Sequence, residues 1–170
     1  MCVRDALRPQ IRFSCEPVLP VNAVEAEFMR NVTLRNLDII HFTMTPFLLE
    51  PGEDMRLEDI RVENIRMYGE GQREFIRLRP VINQYMRKKV PGFIRNISFK
   101  NVTLEGKSGE YLVQIMGADD EHDVRNVTFE NVSIDGSMLN EDSSRLRIGE
   151  HVHNVQFELR NKAVQRLRPR

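Results

Sequence analysis

Residues 94–104 read IRNISFKNVTL and residues 124–134 read VRNVTFENVSI, so one pattern occurs twice within a short distance. Each copy has two asparagines five positions apart, with apolar residues at alternate places around them. Five copies begin at Asn31, Asp59, Asn96, Asn126 and Asn154, with offsets of 28, 37, 30 and 28 residues. Self-similarity at a nearly fixed period is the sequence signature of a repeat architecture.

The second asparagine of each copy interrupts the apolar alternation. Ile97 and Phe99 alternate with polar residues, and Val102 and Leu104 do so again after Asn101 has shifted the phase by one residue. Alternation predicts strands, and asparagine tolerates the left-handed backbone of a sharp corner. We expect the equivalent corner side chains to be buried and hydrogen-bonded to one another along one axis: Asn36, Asn64, Asn101 and Asn131, with Asp5 at the start.

A third apolar stretch lies between successive copies. These stretches are residues 11–16, 47–50, 75–79, 111–116 and 145–149. Three short strands in about 30 residues describe an all-β parallel β-helix of about five coils, stacked at the strand spacing of about 4.8 Å. We assign residues 1–160 to the coils, with Val3 at the place that Leu34 holds in its copy, and residues 161–170 to a basic tail.

The third stretches predict one charged face. If the apolar residues at 11, 13, 49, 76, 78, 113, 115, 146 and 148 point inward, their neighbours point outward: Arg12, Ser14, Glu50, Arg77, Arg79, Gln114 and Arg147. Guanidinium groups bind carboxylates through two hydrogen bonds. We therefore predict that Arg77, Arg79, Arg147 and Gln114 bind a carboxylated ligand. The alternative is a solvated face whose arginines pair with Glu16, Glu50 and Glu74.

Candidate catalytic acids are few. Catalysis by a pair of carboxyl groups needs the two close together, for example about 5–10 Å apart in enzymes that cleave glycosidic bonds. Glu50 is the acid on the charged face, and Asp119 and Asp120 are further candidates in a loop that also holds His122. Glu50 can pair with Asp119 only if that loop bends back, and the alternative is that both aspartates belong to a solvated loop.

Charge and composition limit the classes of partner that the sequence indicates. Lys and Arg number 25, as do Asp and Glu, so nothing in the balance indicates a nucleic-acid or membrane partner. The four histidines, His41, His122, His151 and His153, have no cysteine at zinc spacing. We predict no metal and no cofactor. Residues 1–10 lack the apolar stretch of a secretory signal.

Four stretches carry a resemblance to a known family. They are MRNVTLRNLDIIHF (29–42), MRLEDIRVENIRM (55–67), FIRNISFKNVTLEG (93–106) and DEHDVRNVTFENVSIDG (120–136). The chain resembles the C-terminal coils of pectin-lyase-like carbohydrate enzymes, closest to polygalacturonase-type glycoside hydrolases of family 28 and their bacterial relatives. The resemblance implies a single-stranded, right-handed β-helix from an enzyme that acts on acidic polysaccharide, secreted or periplasmic in its parent form. It also implies that the ligand of the charged face is a carboxylated sugar.

The family's catalytic motifs are not in this chain. Asn-Thr-Asp and Gly-His-Gly are absent, whereas IRLRP at 76–80 is similar to the family's Arg-Ile-Lys strand. The resemblance therefore implies that the catalytic coils precede Met1. Two hypotheses follow: part of a glycoside hydrolase, or a catalytically silent module that binds polysaccharide or associates with itself through uncapped ends. The long loop at 80–92 is the predicted wall of a binding groove.

Overall fold

The computed structural model describes Cys2–Val3, Arg12–Phe13 and residues 27–158, and these residues form an all-β fold. The strands of this part of the chain are β1 (Cys2–Val3), β2 (Arg12–Phe13), β3 (Phe28–Arg30), β4 (Val32–His41), β5 (Phe47–Leu49), β6 (Arg56–Glu70), β7 (Glu74–Leu78), β8 (Phe93–Lys107), β9 (Leu112–Ile115), β10 (Val124–Ile134), β11 (Ser137–Met138), β12 (Leu146–Ile148) and β13 (Val152–Glu158).

The strands are arranged in two sheets. The first has the order β1-β4-β6-β8-β10-β11, with β2 on β4, β3 on β6 and β13 on β10, and the second has the order β12-β9-β7-β5. The long strands pair in parallel, and so do all four strands of the second sheet. From β4 to β10 the chain alternates between the sheets. The prediction of an all-β fold with parallel sheets is confirmed.

Each long strand bends at asparagine or aspartate residues with a left-handed backbone. The predicted corners have positive φ: 56° at Asn36, 54° at Asn64, 51° at Asn101 and 53° at Asn131. The first residue of each copy also has a positive φ: 58° at Asn31, 55° at Asp59, 55° at Asn96, 58° at Asn126 and 58° at Asn154. The predicted pair of short strands is therefore one long strand with two bends, of which we predicted only the second.

Both sets of bends carry a ladder of side-chain hydrogen bonds. In the second set the Nδ2 group donates to the Oδ1 atom of the preceding copy, from Asn64 to Asn36 at 3.1 Å, Asn101 to Asn64 at 2.9 Å and Asn131 to Asn101 at 2.8 Å. In the first set the same bonds run from Asn96 to Asp59 at 3.0 Å, Asn126 to Asn96 at 2.9 Å and Asn154 to Asn126 at 2.8 Å. The predicted bonding along the stack is present, and Asp5 lies outside the described residues.

The expected burial of these corner side chains is wrong. Asn36 and Asn64 are exposed, and Asn101 and Asn131 are only half-buried. At a left-handed corner the side chain leaves the inward and outward alternation of the strand. Its amide is then bonded to the amides above and below while its outer side meets solvent.

The core lies between the two sheets and is built from columns of equivalent side chains. Phe99 stacks on Phe129 with ring centroids 5.4 Å apart, and Phe129 stacks on Phe157 at 5.3 Å. Phe47 of the second sheet meets the Phe99 ring edge-on at 5.3 Å. Stacked and edge-on ring pairs at such distances add to the free energy of simple burial. The parallel register thus stacks residues of the same type on one another.

The second sheet agrees with four of the five predicted third stretches, because β5, β7, β9 and β12 lie within or across residues 47–50, 75–79, 111–116 and 145–149. Ile148, predicted to point inward, is 47% exposed, since β12 is the edge strand of this sheet in the described part of the chain. A register shift between Glu74 and Ile76 in β7 leaves both Phe75 and Ile76 buried.

The predictions for the start of the chain are wrong where the structure describes it. Val3 pairs with Ile39 and Arg12 with Thr33, both antiparallel to β4, so neither residue continues the parallel stack. The edge of β4 offers unpaired backbone groups, and an antiparallel strand satisfies them as well as a parallel one. Ile11, Ser14 and Glu16 lie outside the described residues, as does the predicted tail at 161–170.

Replacing Asn101 tests the ladder, because this residue both donates to Asn64 and accepts from Asn131. Asn101→Ala removes both bonds and puts alanine at a φ of 51°. We expect the free energy of unfolding, measured by urea denaturation, to fall by about 2–4 kcal/mol. Asn101→Gly is the matched control, since it removes the bonds but tolerates the backbone, and it should cost about 1–2 kcal/mol less. Equal losses in the two variants would contradict the assigned corner strain.

Candidate functional site

The predicted binding face is the outer surface of the second sheet. The parallel register places Leu48, Arg77, Gln114 and Arg147 side by side, one from each strand. Their neighbours Phe47, Ile76 and Val113 are buried on the other side. The outward assignment of Arg77, Gln114 and Arg147 therefore agrees with the observed alternation.

Arg77 and Arg79 are already paired with carboxylates of the same chain. Arg77 Nη1 lies 3.2 Å from Glu50 Oε1, Arg77 Nη2 contacts Glu74 Oε2, and Arg79 Nη2 lies 3.0 Å from Glu50 Oε1. We call Glu50, Glu74, Arg77 and Arg79 the Arg–Glu cluster. Two guanidinium groups and two carboxylates leave the cluster without net charge. The pairing of these arginines with Glu50 and Glu74, which the sequence left as an alternative, is what the structure has.

Glu74 is the most enclosed carboxylate of the Arg–Glu cluster, with 11% of its side chain exposed. Thr45 Oγ1 donates to it at 3.2 Å and Gln114 Nε2 at 3.4 Å. Burial alone would raise the pKa of Glu74, but the hydrogen bond and charge of Arg77, with help from Thr45, bring the pKa below its ordinary value of 4.5. Glu74 therefore stays ionised at neutral pH, whereas a general acid needs a raised pKa.

Arg147 differs from Arg77 because its guanidinium is exposed. Nη1 donates to the backbone oxygens of Ser144 at 2.6 Å and Leu146 at 2.7 Å, and no carboxylate of the described residues pairs with it. Gln114, between the two arginines, is turned toward Glu74. Arg147 is thus the arginine of this row with an uncompensated charge.

The candidate acid Asp119 is held by the loop that contains it, whereas Asp120 contacts His151 outside that loop. Asp119 Oδ1 accepts from the backbone N–H of Glu121 at 3.0 Å and of His122 at 2.8 Å. The bond from the His122 backbone is the largest cause that lowers the pKa of Asp119. Asp120 is fully exposed, with His151 Nδ1 at 2.9 Å. No hydrogen bond or ion pair of the described residues joins Glu50 to Asp119 or Asp120.

His122 is buried between two carboxylates. Its Nδ1 atom lies 3.0 Å from Asp119, its Nε2 atom lies 3.5 Å from Asp54, and its ring packs on Phe93 with centroids 4.7 Å apart. The loop at 119–123 therefore does bend toward the turn that follows Glu50, but it meets Asp54 rather than Glu50. Sequence reasoning missed this contact because Asp54 and His122 are 68 positions apart.

Asp123, next to this loop, is a fully buried carboxylate that the sequence analysis did not select. Arg95 and Arg125 both contact it, and His153 Nε2 lies 3.5 Å away. A buried carboxylate is tolerated when positive groups surround it in this way. Asp123 therefore anchors the start of β10 and has no free face for chemistry.

The predicted wall, the loop at 80–92, packs on the turn at 50–55. Glu53 Oε1 accepts from the backbone N–H of Lys88 at 2.9 Å and contacts that of Arg87. Gly52 forms a β-bridge with Pro91. Tyr85 at the tip of this loop is exposed. The loop is therefore fixed at its base and presents its tip to solvent.

A groove of about 470 Å³ lies on the outer face of the first sheet, and none of the predicted site residues lines it. Its lining side chains are Asp38, Ile39, Ile40, Arg66, Met67, Tyr68, Thr103 and Glu105. We call it the β4–β8 groove. The sequence held a signal for this row, because Asp38, Arg66 and Thr103 each stand two positions after a corner asparagine.

The described residues contain neither a metal-binding cluster nor a membrane-spanning helix. In this part of the chain no three His, Cys, Asp or Glu side chains are grouped closely enough to hold a metal ion. Nor is there, among residues the structure describes, a helix with the length and apolarity to cross a bilayer.

Comparison of the chain with protein-family models, with curated proteins and with solved structures found no match.

Glu74→Gln tests the charge state of the Arg–Glu cluster. At neutral pH we expect the free energy of unfolding to fall by about 1–3 kcal/mol, because Arg77 keeps its half-buried position but loses a charged partner. A carboxyl whose folded pKa lies below 4.5 stabilises the fold fully above that pH and loses this contribution as pH falls through the folded pKa. The difference between wild type and variant, measured in urea at several pH values, should therefore shrink below pH 4.5.

The matched control is Glu110→Gln, whose side chain is 64% exposed and lies 3.6 Å from Arg73. An exposed ion pair contributes about 0–1 kcal/mol, so this variant should differ little from wild type at any pH. A Glu74→Gln difference that stayed constant into acid would show that charge is not what Glu74 contributes.

Proposed function

We propose that the chain winds as a right-handed parallel β-helix of the pectin-lyase type and that the outer face of its second sheet binds an acidic polysaccharide without cleaving it. The parallel registers support the winding. Thr33 pairs with Arg61, Ile60 with Ile97 and Val127 with Val155, the same offsets by which the sequence repeats. The regular alternation of the chain between two parallel sheets is what such winding requires.

The observation that carries the binding proposal is the row formed by Arg77, Gln114 and Arg147. Neighbouring strands of a sheet are about 4.8 Å apart, so Arg77 and Arg147 lie roughly 10 Å apart across the sheet. Arg147 has no carboxylate partner in the described residues, and Arg79 beside the row is 42% exposed. Guanidinium groups of this kind suit the carboxylates of a uronic acid polymer that crosses the strands.

The state of the carboxylates favours binding over hydrolysis. Glu50 and Glu74 share Arg77, and Glu74 is held in its ionised form. Asp119 is occupied by the backbone of its own loop. A glycosidase needs one protonated and one free carboxyl on either side of the bond. In this proposal the module derives from a glycoside hydrolase, and any hydrolysis requires acids beyond the residues described here.

The proposal is tested with oligogalacturonate by calorimetry and by a reducing-end assay on the same samples. We expect binding that weakens with added salt and no release of reducing ends. Arg147→Gln should weaken binding about fivefold, the scale of one exposed charge pair. Arg61→Gln, which removes an exposed arginine from the first sheet, is the matched control and should leave the affinity unchanged.

Two outcomes would overturn the proposal. Equal loss of affinity in Arg147→Gln and Arg61→Gln would mean that overall charge, rather than this face, attracts the polymer. Release of reducing ends by wild type, abolished by Glu50→Gln or Asp120→Asn, would make the chain a hydrolase instead.

A further inference from the structure

We infer that the β4–β8 groove is a second carbohydrate site and that it binds a protonated amino sugar. This site is independent of the polysaccharide face proposed above, because it lies on the first sheet and its lining differs in charge. Its volume of about 470 Å³ falls within the range of about 300–1,000 Å³ that is usual for small-ligand sites.

The register of the first sheet explains how the groove is built. Asp38, Arg66 and Thr103 form one outward row, and Tyr68 and Glu105 are neighbours in the next outward row. Ile40, which follows Ile39 in β4, also lines the groove. The buried residues Ile39 and Met67 form the floor between the rows. The groove therefore has an apolar floor and one predominantly polar edge.

One charge in the groove is uncompensated. Asp38 and Arg66 neutralise each other through two hydrogen bonds of 2.7 Å. Glu105 is exposed, and no hydrogen bond or ion pair of the described residues involves its carboxylate. The groove therefore carries one net negative charge and favours a cationic ligand over the uronic acids proposed for the second sheet.

Beside this carboxylate lies an exposed apolar surface. Tyr68 is 56% exposed and Ile40 is 44% exposed, which is high for large apolar side chains in a sheet. An aromatic ring next to a carboxylate attracts a cation through its face and packs against the C–H face of a sugar ring. The Tyr68–Glu105 pair thus offers both interactions to one ligand.

The remaining polar groups distinguish an amino sugar from a simple ammonium. The Thr103 and Tyr68 hydroxyls are neutral donors and acceptors around the groove, and the Asp38–Arg66 pair, which has no net charge, has further unused donor and acceptor positions. A lysine side chain would bring one ammonium group and leave these unsatisfied. A pyranose with an ammonium group and several hydroxyls can engage both the charge and the hydroxyl partners.

The test uses the whole chain and three ligands of similar size: a fully deacetylated glucosamine oligomer, its N-acetylated counterpart and an oligolysine of equal charge. Calorimetry is run at a pH at which the amine is protonated. We expect the deacetylated oligomer to bind most tightly. Loss of the charge on acetylation should weaken binding about tenfold, the scale of one hydrogen bond to a charged group.

Variants locate the site. Glu105→Gln should weaken binding of the glucosamine oligomer about tenfold. Tyr68→Ala should weaken it severalfold, whereas Tyr68→Phe keeps the ring and should stay close to wild type. Glu141→Gln, which changes an exposed acid in the turn after β11, is the matched control. Thermal unfolding of each variant confirms that the exposed positions leave the fold intact.

Three results would overturn the inference: equal affinity for the acetylated oligomer, equal affinity for oligolysine, or the same loss in Glu105→Gln and Glu141→Gln. Arg147→Gln should not change glucosamine binding. The experiments can therefore contradict the proposal for one site without contradicting the proposal for the other.

Discussion

The hydrogen bond from one corner asparagine to the next is the interaction on which the rest of the molecule depends. A left-handed backbone costs an ordinary residue about 1–2 kcal/mol, and this cost recurs at both bends of each repeat. Asparagine lowers the cost, and its amide both donates and accepts. Bonds of 2.8–3.1 Å from Asn131 through Asn101 and Asn64 to Asn36 therefore fix each bend directly over the one before.

Because the corners are stacked, residues at the same distance from their corners lie in one row across the sheet. Asp38, Arg66 and Thr103 share a row because each stands two residues after a corner, and the second sheet aligns Arg77, Gln114 and Arg147 in the same manner. Charged residues that are distant in the sequence then come into contact. Arg66, for example, donates to Asp38, which is 28 positions earlier. The chemistry of each face is therefore set by which residues the repeats bring into one row.

The sequence predicted the elements whose signal is local and periodic. The phase shift at Asn101 predicted a corner there, and alternation in 75–79 predicted β7. The first bend had a signal too, since Leu57 and Ile60, or Ile94 and Ile97, are three positions apart rather than two.

The contacts of the candidate site depend on features without such a signal. In a regular strand Glu74 and Arg77 would point to opposite faces, but the register shift in β7 brings them to the same side. His122 meets Asp54 only because two loops of different repeats converge. Alternation could not decide between ligand binding and internal pairing of the arginines, because the contact of Glu74 with Arg77 depends on irregular backbone.

The direction of the corner ladders has a consequence for chemical ageing. Every ladder bond runs from the Nδ2 group of the later repeat to the Oδ1 atom of the earlier one. Deamidation of an interior asparagine would keep the acceptor but replace the donor with an anionic oxygen that faces another oxygen. Asp59 already holds a carboxylate in this stack and accepts from Asn96. Hydrolysis of a single amide at Asn101 would therefore break the ladder on one side only, turning a continuous stack into two shorter ones.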